Sequence, residues 1–411
     1  MLLLAVTLVG VASPDVRGQA RPSCTVLADR AATYTASYRA SLEWTGAILV
    51  IRGECTLLRG GFGLSNQIGG VANTPNTRFR LGQLSEHFTA AAILLLEQRG
   101  RLSTTDRLTK FLPGLAGAAS ITIDQLLAHR AGLRNPRDPL AGYSYSTPDY
   151  VYLAKVIQVV SGQTYGDFLR DNLFKPLGMV DTGNDNGTVA IGSELAQPYA
   201  AAGARSVAPA RTVQWAELMG SASLYSTVDD LGRWARSLSG GSPLGPSARR
   251  KLLGTARRVD IDLRAPGVEA CLEVLPSDRI VVVVLSNVYS SLGHGLADDL
   301  VSIARGETPT SPAPSRAESV PDATLARYVG RYQLGDDYFE GATVLEVTRV
   351  HGDLALHARG FSMPAFLVPF DEIRFLDRLY GGIVTFEVDA RGGVTGLAWQ
   401  RSRLFVARRL K

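Results

Sequence analysis

Two regimes of apolar patterning divide the 411 residues. Up to about residue 305, helical periodicities are framed by strand-like runs; after about 322 only short strand-like runs recur. Residues 25–41 have a helical composition. TGAILVIRG (45–53) reads as a buried strand turning at Arg52-Gly53, and CTLLRGGFG (55–63) as its antiparallel partner. LSEHFTAAAILLLEQ (84–98) is a strongly apolar helix stopped by Gly100, and ITIDQLLAH (121–129) is a helix starting near Thr122. PDYVYLAKVIQVVSG (148–162) carries Pro in its first turn and Gly at its stop. TYGDFLRDNLFKPLGM (164–179) reads as another helix. STVDDLGRWARSL (226–238) follows with Ser226 or Thr227 as cap and Asp229 and Asp230 as first-turn acids. RIVVVVLSN (279–287) has the length and continuous apolarity of a central strand buried on both faces, and LGHGLADDLVSIARG (292–306) closes the region as a helix.

GETPTSPAPSRAESVP (306–321) is Pro- and Ser-rich and reads as a linker. Beyond it come RYVGRYQL, VLEVTRV, LALHARG, AFLVPF, EIRFLD, IVTFEVD, GVTGLAWQ and RLFVARRL, separated by turns such as His351-Gly352-Asp353 and Ala390-Arg391-Gly392-Gly393. Seven or eight strands in so short a span predict a small antiparallel barrel or sandwich. The expected fold class is therefore α+β: an antiparallel sheet flanked by helices plus a helical region over 21–305, a linker over 306–321, and a small all-β, barrel-like domain over 322–411.

Composition changes this picture little. Hydrophobic residues make up 45% and charged residues 20%, as in a globular protein with a sizeable core. The net charge of +5 is spread along the chain without a basic run or a recognition motif, which argues against nucleic acid as a partner. MLLLAVTLVGVA at the start is too short to span a bilayer comfortably and suits the apolar region of a signal peptide over 1–20, with Gly18-Gln19-Ala20 offering small residues for cleavage. A buried N-terminal strand is the alternative. On the signal-peptide reading the protein is exported, periplasmic or secreted, with no transmembrane anchor in its mature form. The cysteines at 24, 55 and 271 then allow one disulfide, for which Cys24–Cys55 is the favoured pair; three buried thiols are the other reading. The scattered His and Cys give no metal-ligand spacing, and no cofactor motif is present.

FRLGQLSEHFTAAAILLLEQRGRLSTTDRLTKFLPGL (79–115) resembles the beta-lactamase-related serine hydrolase family, which includes class C beta-lactamases, D-alanyl-D-alanine carboxypeptidases and related esterases. ITIDQLLAHRAGL (121–133), the stretch 143–179, SLYSTVDDLGRWA (223–235) and DRIVVVVLSN (278–287) agree with that family in the same order, and the tail resembles the β-rich domain often appended to it. The resemblance implies a beta-lactamase/transpeptidase-like domain. In that family a Ser at the first turn of the buried helix attacks an acyl carbon, a Lys three residues on takes its proton, and a Tyr-x-Asn loop and a Lys-Thr-Gly or His-x-Gly strand complete the site.

The departures fall on those positions. Gln83 stands where the nucleophilic Ser belongs and Glu86 where the Lys belongs, while Ser85 matches the second, non-nucleophilic Ser. In the second motif, Tyr145-Ser146-Thr147, Tyr145 survives and Thr147 replaces the Asn. Placing Pro266-Gly267 on the family's Pro-Gly puts Ile261-Asp262-Leu263 at the third motif. Of the five lysines, Lys110, Lys155, Lys175, Lys251 and Lys411, none follows a Ser by three residues, and no Tyr-x-Asn occurs in the chain. A Gln amide is not an acyl-accepting nucleophile. The expectation is a catalytically inactive pseudoenzyme that keeps Gln83, Glu86 and Tyr145 as a binding cleft for a small-molecule, peptide or cell-wall-type ligand. The rival is an active hydrolase built on Glu86, His87 and Tyr145. Ser85-Glu86-His87 cannot act as a triad, because three consecutive helical residues point in different directions. His129 is structural in the family, and Tyr143, Tyr150 and Tyr152 read as core.

Overall fold

The computed structural model describes residues 22–411 apart from positions 43, 134–146, 192–194, 242, 255–258, 266, 291, 310–318, 337, 339–340, 342, 359–360, 362 and 402. The expected signal peptide, most of the expected linker and Tyr145 lie outside the described residues.

Helix α1 (Cys24–Leu42) leads into the hairpin β1 (Gly46–Arg52) and β2 (Cys55–Phe62). The hairpin forms one end of a five-stranded antiparallel sheet whose order is Val259–Ala265, Val268–Leu275, Ile280–Ser286, β1, β2. Strands from the two ends of this domain therefore meet in one sheet, with Ala47 opposite Leu285 and Arg52 opposite Ile280. Helices α2 (Leu84–Gln98), α3 (Ile123–Leu127), α4 (Thr147–Ser161), α5 (Tyr165–Leu169), α6 (Val228–Gly240) and α7 (Pro246–Leu253) build the helical region, and α8 (Leu292–Arg305) packs beside α1.

The strand period of two explains the unbroken apolar run at 280–286. Val281, Val283 and Leu285 join one core with α2, α4 and α6, whereas Ile280, Val282 and Val284 join another with α1 and α8. The sheet is buried on both faces, and its central strand is apolar from Ile280 to Leu285.

Three elements differ from the sequence expectation. The stretch 164–179 is not one helix. After α5 the chain widens into a π turn at Arg170–Phe174 and tightens into a 3-10 turn at Lys175–Leu177, ending on Gly178 at φ +67°. Pro176 has no N–H to offer the preceding turn, so the regular ladder cannot continue through it. The strand Val268–Leu275 was hidden by Glu269 and Glu273, both wholly buried. The Glu269 carboxylate accepts hydrogen bonds from the backbone N–H groups of Gly293 (3.1 Å) and His294 (3.3 Å), so a charged residue inside the sheet caps the start of α8. Finally, α9 (Asp322–Tyr328) precedes the β-rich region, where a strand was expected to begin at Arg327. Pro321 and Asp322 suit a helix start.

The C-terminal region is a closed eight-stranded barrel running from Gly330–Leu334 to Leu404–Arg409. Trp399, Phe375, Phe386 and Tyr332 fill its interior. Val368 and Leu376 pack against the α1–α8 face of the sheet domain. Buried Arg378 donates to the carbonyls of Gly203 (2.9 Å), Ala204 (3.2 Å) and Ser206 (2.9 Å), and Asp353 accepts from the Ala204 amide (2.7 Å), which fixes the barrel on the 203–206 loop.

Cys24 and Cys55 are bonded across a separation of 31 residues, tying α1 to β2. Closing a loop of that length restricts the unfolded chain by roughly 3–4 kcal/mol. A Cys24→Ser, Cys55→Ser protein should show that loss in denaturant melts, and a midpoint equal to that of the oxidised parent would contradict it.

Candidate functional site

The site lies at the start of α2. Gly82, at φ +52°, turns the chain from the short strand Phe79–Arg80 into the helix. The next side chains diverge. Ser85 Oγ donates to the Gly82 carbonyl (2.6 Å) and accepts from the Leu224 amide (3.0 Å). Thr89 Oγ1, one turn on, donates to the Gly220 carbonyl (2.6 Å) and pairs with the Tyr165 hydroxyl (2.7 Å). These bonds lash the first turns of α2 to the 220–224 segment and leave neither hydroxyl available for chemistry.

Glu86 is almost fully buried, at 4% exposure. Its Oε1 accepts from Ser221 Oγ at 2.9 Å, and its Oε2 lies 3.3 Å from His129 Nε2. The His129 ring stacks on Tyr150 at 4.8 Å, and the Tyr150 hydroxyl donates to the Leu127 carbonyl at 3.1 Å. Burial pushes the Glu86 carboxyl above its ordinary range, while His129 and Ser221 pull it down and nearby Asp149 adds repulsion. Both carboxylate oxygens are thus engaged by the protein itself.

Gln83 caps α2 in an αR conformation and is also buried, and among the described residues its side chain makes no hydrogen bond. His87 points the other way, edge-on to Trp234 (5.7 Å) and Phe88 (6.1 Å). Burial pushes its imidazole down to about 4, and among the described residues Nε2 has no hydrogen-bond partner. His87 is a neutral packing residue, so the structure does not bring it together with Glu86 as an acid/base pair. Thr147 begins α4, and the remainder of the second motif, Tyr145 included, lies outside the described residues. Ile261-Asp262-Leu263 lie on the edge strand of the sheet, which runs beside α2, with Asp262 opposite Cys271.

Sequence reasoning missed the company Glu86 keeps. His129 read as structural, and that role takes the form of a contact to the carboxylate. Ser221, a small polar residue in a loop, carried no periodic or spacing signal. Among the described residues no group of three or more His, Cys, Asp or Glu could hold a metal ion.

An antiparallel sheet with α2 buried against one face, followed by a closed all-β barrel, is a beta-lactamase/transpeptidase-like fold, with Gln83 at the head of its buried helix. A family model described as Beta-lactamase matches residues 44–267, more than half of the chain, and the protein belongs to that family. It is similar to a penicillin-binding protein, PbpX, of Bacillus subtilis, with 24% identity over 299 residues covering 64% of this chain and 76% of that protein. A teichoic acid D-alanine hydrolase of Staphylococcus aureus is 24% identical over 167 residues, 35% of this chain and 42% of that protein. The octameric penicillin-binding protein homologue of Pyrococcus abyssi has the same fold, with a TM-score of 0.58 at 19% identity over 92% of this chain and 99% of that one.

The raised Glu86 carboxyl sets a pH dependence. The folded state holds this proton more tightly than the unfolded state, so stability falls as pH rises from the ordinary value of 4.5 through the raised one. Glu86→Gln keeps both hydrogen bonds without the charge. Its melting temperature relative to the parent should therefore rise across that window, and a constant difference would contradict the assignment.

Proposed function

We propose that this chain is a catalytically inactive, exported member of the beta-lactamase family, retained to bind a cell-wall-type ligand or peptide. The observation that carries the reading is Glu86, which sits at the position of the family's general base with both oxygens committed to Ser221 and His129. Without a hydroxyl at position 83 no acyl-enzyme forms, and without a Lys at 86 no group there takes the proton. Losing one such group costs on the order of 10⁴–10⁶ in rate in comparable hydrolases.

Export is supported by the apolar N-terminus and by the disulfide between Cys24 and Cys55, which persists in oxidising compartments. A cell-wall-type ligand is supported by relatives named for penicillin and for teichoic acid D-alanine. Gln83, Glu86 and Tyr145 remain the residues proposed to border the binding cleft, with Glu86 acting as its buried support. The rival hydrolase is disfavoured because Glu86 and His87 serve different neighbours on different sides of α2.

Purified protein incubated with fluorescent penicillin should show no adduct by gel or intact mass, and should co-sediment with isolated cell-wall sacculi. A covalent adduct would overturn the loss of catalysis, and failure to sediment would overturn the binding role.

A further inference from the structure

On the far side of Tyr165 and the 220–224 segment from Glu86 and Gln83, neither of which lines it, lies a cavity of about 810 Å³ between α4, the π turn and the strand Leu224–Ser226. That volume is within the roughly 300–1,000 Å³ usual for small-ligand pockets. The carboxamides on its walls share one arrangement. Gln158 Oε1 accepts from the Tyr165 backbone amide (3.1 Å), which fixes that side chain with its NH₂ group unspent. Asn184 Oδ1 accepts from Ser223 Oγ (2.6 Å), and Asn186 Oδ1 from Thr188 Oγ1 (2.7 Å). Each amide has its oxygen occupied by the protein and, among the described residues, no acceptor for its N–H groups.

The charged groups follow the same rule. Asp167 spends its oxygens on Thr164 and Arg170, and Arg170 is further compensated by Asp171. Lys175, on the turn forced by Pro176, has no hydrogen-bond or ion-pair partner among the described residues. The cavity thus presents amide donors and a Lys ammonium to solvent, with Met179 and Met219 as an apolar wall beside them.

We propose that this cavity is a second binding site, separate from the α2 site, for a small carboxylate carried on an apolar body. The carboxylate would accept from Lys175 Nζ and from the Gln158 and Asn184 amides, with its apolar part against the methionines. The π turn makes the site by displacing Arg170 and Lys175 from the positions a continuous helix would give them.

Calorimetric titration of the full chain with N-acetyl-leucine tests this. Saturable binding is expected, weakened about tenfold or more in Lys175→Gln, as loss of a charge-assisted hydrogen bond requires. The uncharged N-acetyl-leucinamide should be weaker by a similar factor, and acetate alone should also be weaker than N-acetyl-leucine. Gln83→Ala should bind as the parent does, which separates this site from the α2 cleft. Absence of saturable binding would overturn the proposal, as would equal affinity in Lys175→Gln, or loss of binding in Gln83→Ala with Lys175 intact. Lys175 is exposed, so an unchanged melting curve serves as the folding control.

Discussion

A carboxylate in the low-dielectric interior is tolerated only with partners, and the site is organised by how Glu86 finds them. Ser221 and His129 hold its two oxygens, and they come from distant parts of the chain: the loop before the strand Leu224–Ser226 and the turn after α3. One side chain thereby ties three segments together at the head of the most buried helix. Ser85 and Thr89 add two further ties between α2 and the 220–224 segment. The first turns of α2 are a hydrogen-bonded joint.

The rest of the molecule is built to hold α2 still. The five-stranded sheet is buried on both faces, with α2 on one side and α1 and α8 on the other. The disulfide fixes α1 to β2, and Glu269 fixes the head of α8 from within the sheet. The barrel adds the Arg378 contacts to three carbonyls of the 203–206 loop, a buried cation held by backbone dipoles. Such a scaffold suits a rigid recognition surface as well as it suits catalysis, because fold and chemistry are separable.

Much of this was legible in the sequence. The central strand announced its double burial through unbroken Ile and Val, and α2 through its apolar run and Gly100. The barrel was readable from eight short runs punctuated by turns. The consecutive strands Val259–Ala265 and Val268–Leu275 were not, because Asp260, Asp262 and the buried Glu269 and Glu273 interrupt their apolar pattern. The break at 170–177 was masked by helix-forming side chains, and only Pro176 hinted at it. At the site, the proposal that Gln83 and Glu86 stand in place of the family's Ser and Lys rests on spacing in the sequence. The contacts of Glu86 to His129 and Ser221 were invisible, since no local rule connects residues 43 and 135 positions apart in sequence.

The central claim is that Glu86 is a buried, internally satisfied carboxyl and not an exposed relic. Carbon-13 NMR titration of its side-chain carboxyl tests this most directly. The account predicts a titration midpoint above the ordinary 4.5, with a coincident perturbation of the His129 ring signals. A carboxyl titrating at the ordinary value, with His129 unresponsive, would contradict it.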